Sequence, residues 1–206
     1  MDFEGQDEID AYNASQAVYG SNKHHEDLLA EGYIQDYELS NDGTRIYTKP
    51  TQTIVTYKGT NPISFTDLDA DVAIGFGTHR YHPEFTKASD TAKKAKEKYG
   101  NKIITTGHSL GGTKAIESAN DIGAKAVAFN PGTGVFGLKT KDHKVYIHEK
   151  DKIASRVRGS NVTKIRGGSK YKPLENHSIN TFEETFKRKS LGRPVRSKGA
   201  GKRIRK

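Results

Sequence analysis

The segment Gly107-His108-Ser109-Leu110-Gly111-Gly112 decides the reading of this chain. It stands between the apolar pair Ile103-Ile104 and a helix-compatible stretch from Thr113 to Asn120. A serine that attacks a carbonyl must stand clear of its own backbone, and a sharp strand-to-helix turn lifts the hydroxyl above the sheet edge. Strand and helix then pass so close that a Cβ two positions before or after the serine has no room, a demand that Gly107 and Gly111 meet. The same turn aims the amide of Leu110 toward the point where an oxyanion would form. Ser109 is therefore the candidate nucleophile and Leu110 a candidate oxyanion donor. The alternative is a Gly-rich turn that only joins a strand to a helix, or one that binds a phosphate at the helix N-terminus.

Working outward, strand and helix patterns alternate. Residues 8–18 and 26–31 read as helices, 33–39 and 45–48 as a hairpin around Asn41-Asp42-Gly43, and Thr53 to Tyr57 as a β-branched central strand. Residues 86–99 read as an Ala- and Lys-rich helix that Gly100 ends. Strands are predicted at 126–129, 144–148 and 162–166, and a last helix around 181–187. This order implies an α/β fold with a mostly parallel sheet flanked by helices.

In such a sheet, chemistry gathers at the carboxyl ends of the strands. That rule separates the acids. Asp151 follows the C-terminal end of the strand at 144–148 and shares an edge with Ser109. Asp142 and His143 precede the strand, and at about 3.3 Å per residue they lie too far away. Of the eight histidines, only His177 lies downstream of Asp151, as the order Ser, Asp, His requires. An imidazole near its reference pKa of about 6.5 can take the serine proton and return it to a leaving group when a carboxylate orients it. The loop after the strand ending at Tyr57 supplies Gly59-Thr60, and Thr60 is the candidate second oxyanion donor. His108 and His82 read as packing residues. No histidine spacing resembles H-E-x-x-H, so neither metal nor cofactor is expected.

The 206 residues suit one domain, and the absence of cysteine excludes disulfides and thiolate chemistry. Met1-Asp2-Phe3-Glu4 is acidic with no apolar h-region, and no apolar run approaches membrane-spanning length. The net charge of +9 comes from the C-terminus: residues 187–206 hold ten Lys or Arg and no acid, and removing ten from 34 basic residues leaves 24 against 25 acidic. The expected division is a folded domain over residues 1–186 and a basic disordered tail over 187–206.

Four further pieces extend the pattern. They are Ile54-Val55-Thr56-Tyr57-Lys58-Gly59-Thr60, Asp67-Leu68-Asp69-Ala70-Asp71-Val72, Phe129-Asn130-Pro131-Gly132 and His148-Glu149-Lys150-Asp151-Lys152-Ile153. With the elbow and His177-Ser178-Ile179-Asn180-Thr181-Phe182, the set resembles the class 3 lipases, the fungal-lipase-like branch of the α/β-hydrolases, over roughly Thr53 to Phe182. The resemblance implies a single α/β-hydrolase domain with a Ser109-Asp151-His177 triad and an oxyanion hole from Thr60 and Leu110. Lys58 stands where the family has Arg, Leu68 where it has Trp, and Glu84 where it has Gly. The spacing from Ser109 to His177 is compact, and Asn61 to Leu68 offers only a small apolar cover.

Two functions fit. One is a serine carboxylic-ester hydrolase acting through an acyl-enzyme on lipid or small acyl esters. The other is a protein that binds nucleic acid or an anionic membrane surface through residues 187–206, with the hydrolase fold as scaffold.

Overall fold

The computed structural model describes residues 5–59, 83–100, 102–133, 138–140, 142–166 and 173–193. Two helices, α1 (Gly5–Ala17) and α2 (Asn22–Ala30), precede strands β1 (Ile34–Gln35), β2 (Thr44–Lys49) and β3 (Gln52–Tyr57). Helix α3 (Pro83–Tyr99), strand β4 (Lys102–His108), helix α4 (Leu110–Ile122) and strand β5 (Lys125–Phe129) follow. The remainder comprises β6 (Leu138–Lys139), β7 (Lys144–His148), β8 (Val157–Arg158), β9 (Val162–Ile165), α5 (Pro173–His177) and α6 (Glu183–Ser190). Seven strands form one sheet in the order β1-β2-β3-β4-β5-β7-β9, antiparallel among the first three and parallel from β3 onward. The small β6-β8 pair stands apart.

Strand alternation divides the core in two. Val55, Ala126, Ala128, Val145 and Ile147 join the alanines of α3 and α4 on one face. Ile54, Ile104, Val127, Phe129 and Tyr146 join α1, α2 and α6 on the other. A sheet covered on both faces buries both sides of its central strands, and β3 is buried along its full length, with Gln52 hydrogen-bonded to Tyr33 and Thr53 to Thr48. Phe186 of α6 stacks on Tyr12 of α1 at 4.6 Å between centroids.

Helix α1 is buried although it carries no clear apolar stripe. Its acids explain this. Asp7 pairs with Lys102 at 2.6 Å, Asp10 accepts from Tyr33 at 2.9 Å, and Glu8 takes hydrogen bonds from Tyr146 and Lys189. Burial above all pushes the Tyr33 and Tyr146 phenols upward, helped by the neighbouring carboxylates, so both hydroxyls donate. Lys102 and Lys144 start β4 and β7, so these pairs tie the first turn of α1 to the edge of the sheet opposite the strand ends used below.

The expected first hairpin is present with a shorter first strand. Asp36 Oδ1 accepts the amides of Glu38 and Leu39 at 2.9 and 3.0 Å, which turns the chain after Gln35. Burial opposes ionisation of Asp36, yet hydrogen bonds from Tyr99, the Leu39 amide and Lys98 hold its carboxyl down to about 2. The last helix also runs further than expected. It carries Lys187, Arg188 and Lys189 in its final turn, and described chain continues to Arg193, so the fold does not stop at residue 186. Phe186 is buried, Lys189 binds Glu8, and cations suit a helix C-terminus. Residues 194–206 lie outside the described residues, as do Thr60, His82 and the segments 61–68 and 67–72.

Removing one partner of a largely buried ion pair leaves the other charge uncompensated. Asp7→Asn is expected to destabilise the fold by about 3 kcal/mol, a fall of roughly 6–12 °C in Tm on thermal unfolding. Asp90→Asn, at an exposed pair with Lys93, should shift Tm by no more than about 2 °C.

Candidate active site

Four parallel strands bring their carboxyl ends to one edge. In the pairing register Tyr57 faces Gly107, His108 faces Phe129, and Phe129 faces Tyr146, so the residues just after β3, β4, β5 and β7 are neighbours. Gly59, Ser109, Asn130 and Asp151 occupy those positions. The turn from β4 into α4 is tight enough that a Cβ on Gly107 would lie 2.5 Å from the Gly111 backbone, and one on Gly111 would run into the Tyr57 carbonyl. Ser109 takes φ 56° and ψ −128°, a conformation that costs a non-glycine residue about 1–3 kcal/mol. Its amide donates to the Phe129 carbonyl at 3.1 Å, and its carbonyl accepts from the amides of Gly112, Thr113 and Gly132 at 2.9, 3.2 and 3.1 Å. These bonds hold the strained residue in place.

The structure brings Ser109, Asp151 and His177 together. His177 Nε2 lies 2.8 Å from Ser109 Oγ, and His177 Nδ1 lies 2.7 Å from Asp151 Oδ2. The other oxygen of Asp151 accepts the amides of Ile153 and Ala154 at 2.8 and 3.3 Å, which fixes the carboxylate plane. His177 ends the short helix α5, whose existence the sequence reading did not anticipate. The Asp151 and His177 side chains are 0% and 3% exposed, so their hydrogen bonds are little weakened by water. Leu110 is the first residue of α4, where an amide has no intrahelical acceptor. The arrangement can move a proton from a hydroxyl to an imidazole while a backbone amide faces developing negative charge.

Three residues that the sequence reading left without a catalytic part support this geometry. Asn130, at φ 40°, donates through Nδ2 to the carbonyls of Asn176 and His177, both at 3.1 Å, and accepts the His148 amide at 2.7 Å. His108 is pushed down to about 3, first by burial and then by the nearby His177, and is therefore neutral. Its Nε2–H donates to the same His177 carbonyl at 2.5 Å. Its Nδ1 lies 3.4 Å from the Tyr19 hydroxyl, which accepts the Gly59 amide at 2.9 Å. The backbone of His177 is thus held from two sides. Asn-Pro-Gly directly after an apolar strand was the available signal for Asn130; Tyr19, far off in sequence, gave none.

His143 packs at the other end of β7. Its Nδ1 accepts the Ala126 amide at 3.2 Å and its Nε2 donates to Asn120 Oδ1 at 3.0 Å. Among the described residues no group of three or more His, Cys, Asp or Glu is placed to hold a metal ion. No described helix is long and apolar enough to cross a membrane.

The steric reading of the elbow predicts a contrast between Gly111 of α4 and Gly123, the residue that caps its C-terminus. Gly111→Ala must displace the end of β3 and should lower stability by about 3 kcal/mol or more. Gly123→Ala, at φ +64° with nothing within 4 Å, should cost only about 1–2 kcal/mol. Chemical unfolding of both variants measures the difference.

The fold is similar to that of a mutant form of MDLA from Penicillium cyclopium, with 14% identity, a TM-score of 0.54, and coverage of 82% of this chain and 83% of that chain. No curated protein matches the sequence. The model of the Tle-like phospholipase domain, a phospholipase-like family, matches residues 9–164. A lipase-like α/β-hydrolase fold with that match over most of its length places the chain in the Tle-like phospholipase domain family.

Proposed function

We propose that the protein is a serine carboxylic-ester hydrolase that cleaves acyl esters of lipids by way of an acyl-enzyme. The observation that carries this reading is the unbroken line from Asp151 Oδ2 through both nitrogens of His177 to Ser109 Oγ, at 2.7 and 2.8 Å. Membership of a phospholipase-like family supports lipid esters as the substrate class.

In this mechanism Ser109 Oγ attacks the ester carbonyl as His177 Nε2 takes the hydroxyl proton. The carbonyl oxygen of the tetrahedral intermediate becomes the oxyanion, held by the Leu110 amide and by Thr60, the second donor inferred from sequence. Collapse breaks the bond to the alcohol, which leaves with the proton from His177. Water then attacks the acyl-Ser109 ester, with His177 again as base, and releases the carboxylic acid and free serine. Asp151 holds Nδ1–H, keeps the tautomer with a basic Nε2, and stabilises the imidazolium without taking the proton. The clamp on the His177 carbonyl limits the ring's freedom, so little reorganisation is needed as charge develops.

Hydrolysis of p-nitrophenyl esters and of short-chain diacylglycerophospholipids tests the reading. Ser109→Ala should lower kcat/KM by at least about a thousandfold with Tm held within a few degrees. Turnover by Ser109→Ala equal to wild type on every ester contradicts it.

A further inference from the structure

A cleft of about 360 Å³ opens beside the elbow, with Gly59 and Leu110 on its walls together with Lys58, Lys87 and Lys114. Glu84 is the one acid on the described walls. It binds Lys114, whose side chain is 13% exposed, at 2.6 Å. Lys58 and Lys87 are exposed, and among the described residues neither ammonium has an ion-pair partner. Among the described residues, three ammonium groups against one carboxylate leave the walls net positive.

The helices add to this field. Leu110 is the first residue of α4 and Glu84 the second of α3, so both helices reach the cleft with their N-terminal, positive ends. Lys87 and Lys114 are the fifth residues of those helices and line the same cleft. Ammonium groups and helix N-termini gathered around one cleft repel one another, and an anion among them offsets that repulsion. The anion would lie beside the Leu110 amide, and in a glycerophospholipid the phosphate is only a few bonds from an ester carbonyl.

We propose that this cleft receives the phosphate head group of the acyl substrate and that Lys58 and Lys87, with Lys114 held by Glu84, select net-anionic over zwitterionic esters. The inference rests on Ser109 as the nucleophile. A choline or ethanolamine head carries a cation that these ammonium groups repel, whereas a glycerol head leaves the phosphate charge uncompensated. As a compact point charge, lysine accepts a phosphate in more than one orientation.

The test uses the full chain and monomeric substrates, so that attraction of the basic C-terminus to a charged membrane plays no part. Dihexanoyl phosphatidylglycerol, dihexanoyl phosphatidylcholine and neutral dihexanoylglycerol are assayed below their critical micelle concentrations. Wild type should favour the phosphatidylglycerol in kcat/KM. In Lys58→Gln/Lys87→Gln that preference should fall about fivefold, mainly through KM, and Lys87→Gln alone should show part of the fall. Glu84→Gln should raise the preference, and raising the salt concentration should lower it in wild type. Neutral dihexanoylglycerol should be cleaved equally by wild type and Lys87→Gln. A preference unmoved by both the lysine and the Glu84 changes overturns the head-group site while leaving the hydrolase intact. An equal fall in the remote Lys94→Gln/Lys164→Gln variant also overturns it, since surface charge in general would then be responsible. Failure of wild type to cleave any of the three esters removes the hydrolase reading itself.

Discussion

The site depends on one steric constraint, the crossing of the β4–α4 turn against the end of β3. Gly107, Gly111 and Gly59 remove the side chains that would keep these backbones apart, since a Cβ on any of the three would meet backbone at 2.7 Å or less. Only in that close crossing does Ser109 take a conformation that projects its side chain from the turn. The neighbouring amides and carbonyls stabilise the strained residue through hydrogen bonds to Phe129, Gly112, Thr113 and Gly132. Strain of about 1–3 kcal/mol is small beside the packing that fixes both strands.

Around that crossing the parallel sheet acts as an alignment device. Because β3, β4, β5 and β7 end in register, successive loops deliver Gly59, Ser109, Asn130 and Asp151 to one edge. His177 comes from a helix outside the sheet and needs separate positioning. Asn130 and the neutral His108 supply it by holding one carbonyl oxygen. Tyr19, with its hydroxyl pushed up to about 12 by burial despite the Gly59 amide, links that clamp to the end of β3. At the opposite edge, the acids of α1 bind lysines and tyrosines that begin the strands or stand behind them. The candidate site and the ion-pair anchor therefore occupy different ends of the same strands.

Much of this could be read from the residues because it depends on local sterics and on strand direction. The elbow needs small residues at fixed offsets, so Gly107 and Gly111 stand out in any linear reading. Asp151 is separated from Asp142 by which end of a parallel strand each adjoins, and the structure places His143, next to Asp142, in packing at the far end. The length of β1 was hidden because Asp36 ends it through hydrogen bonds to its own loop and to α3, a contact across 63 positions. Helix α1 was legible as a helix, but its burial was not, since partners for Asp7, Glu8 and Asp10 come from distant strands. Tyr19 was missed because it acts on the Gly59 amide and on His108, both distant in sequence, and the hold of Asn130 on the His177 carbonyl has no characteristic spacing either. The ordered run to Arg193 depends on Phe186 meeting Tyr12 and Lys189 meeting Glu8, which composition alone does not reveal.

On the proposed function, the strained turn, the imidazole and the carboxylate together make one serine reactive. Treatment of the full chain with a fluorophosphonate, followed by peptide mass spectrometry, tests it most directly. A single covalent adduct per chain is expected, on Ser109, formed at a background rate when His177 is replaced by alanine. An adduct confined to a different residue, or none under conditions where the protein is folded, would contradict it.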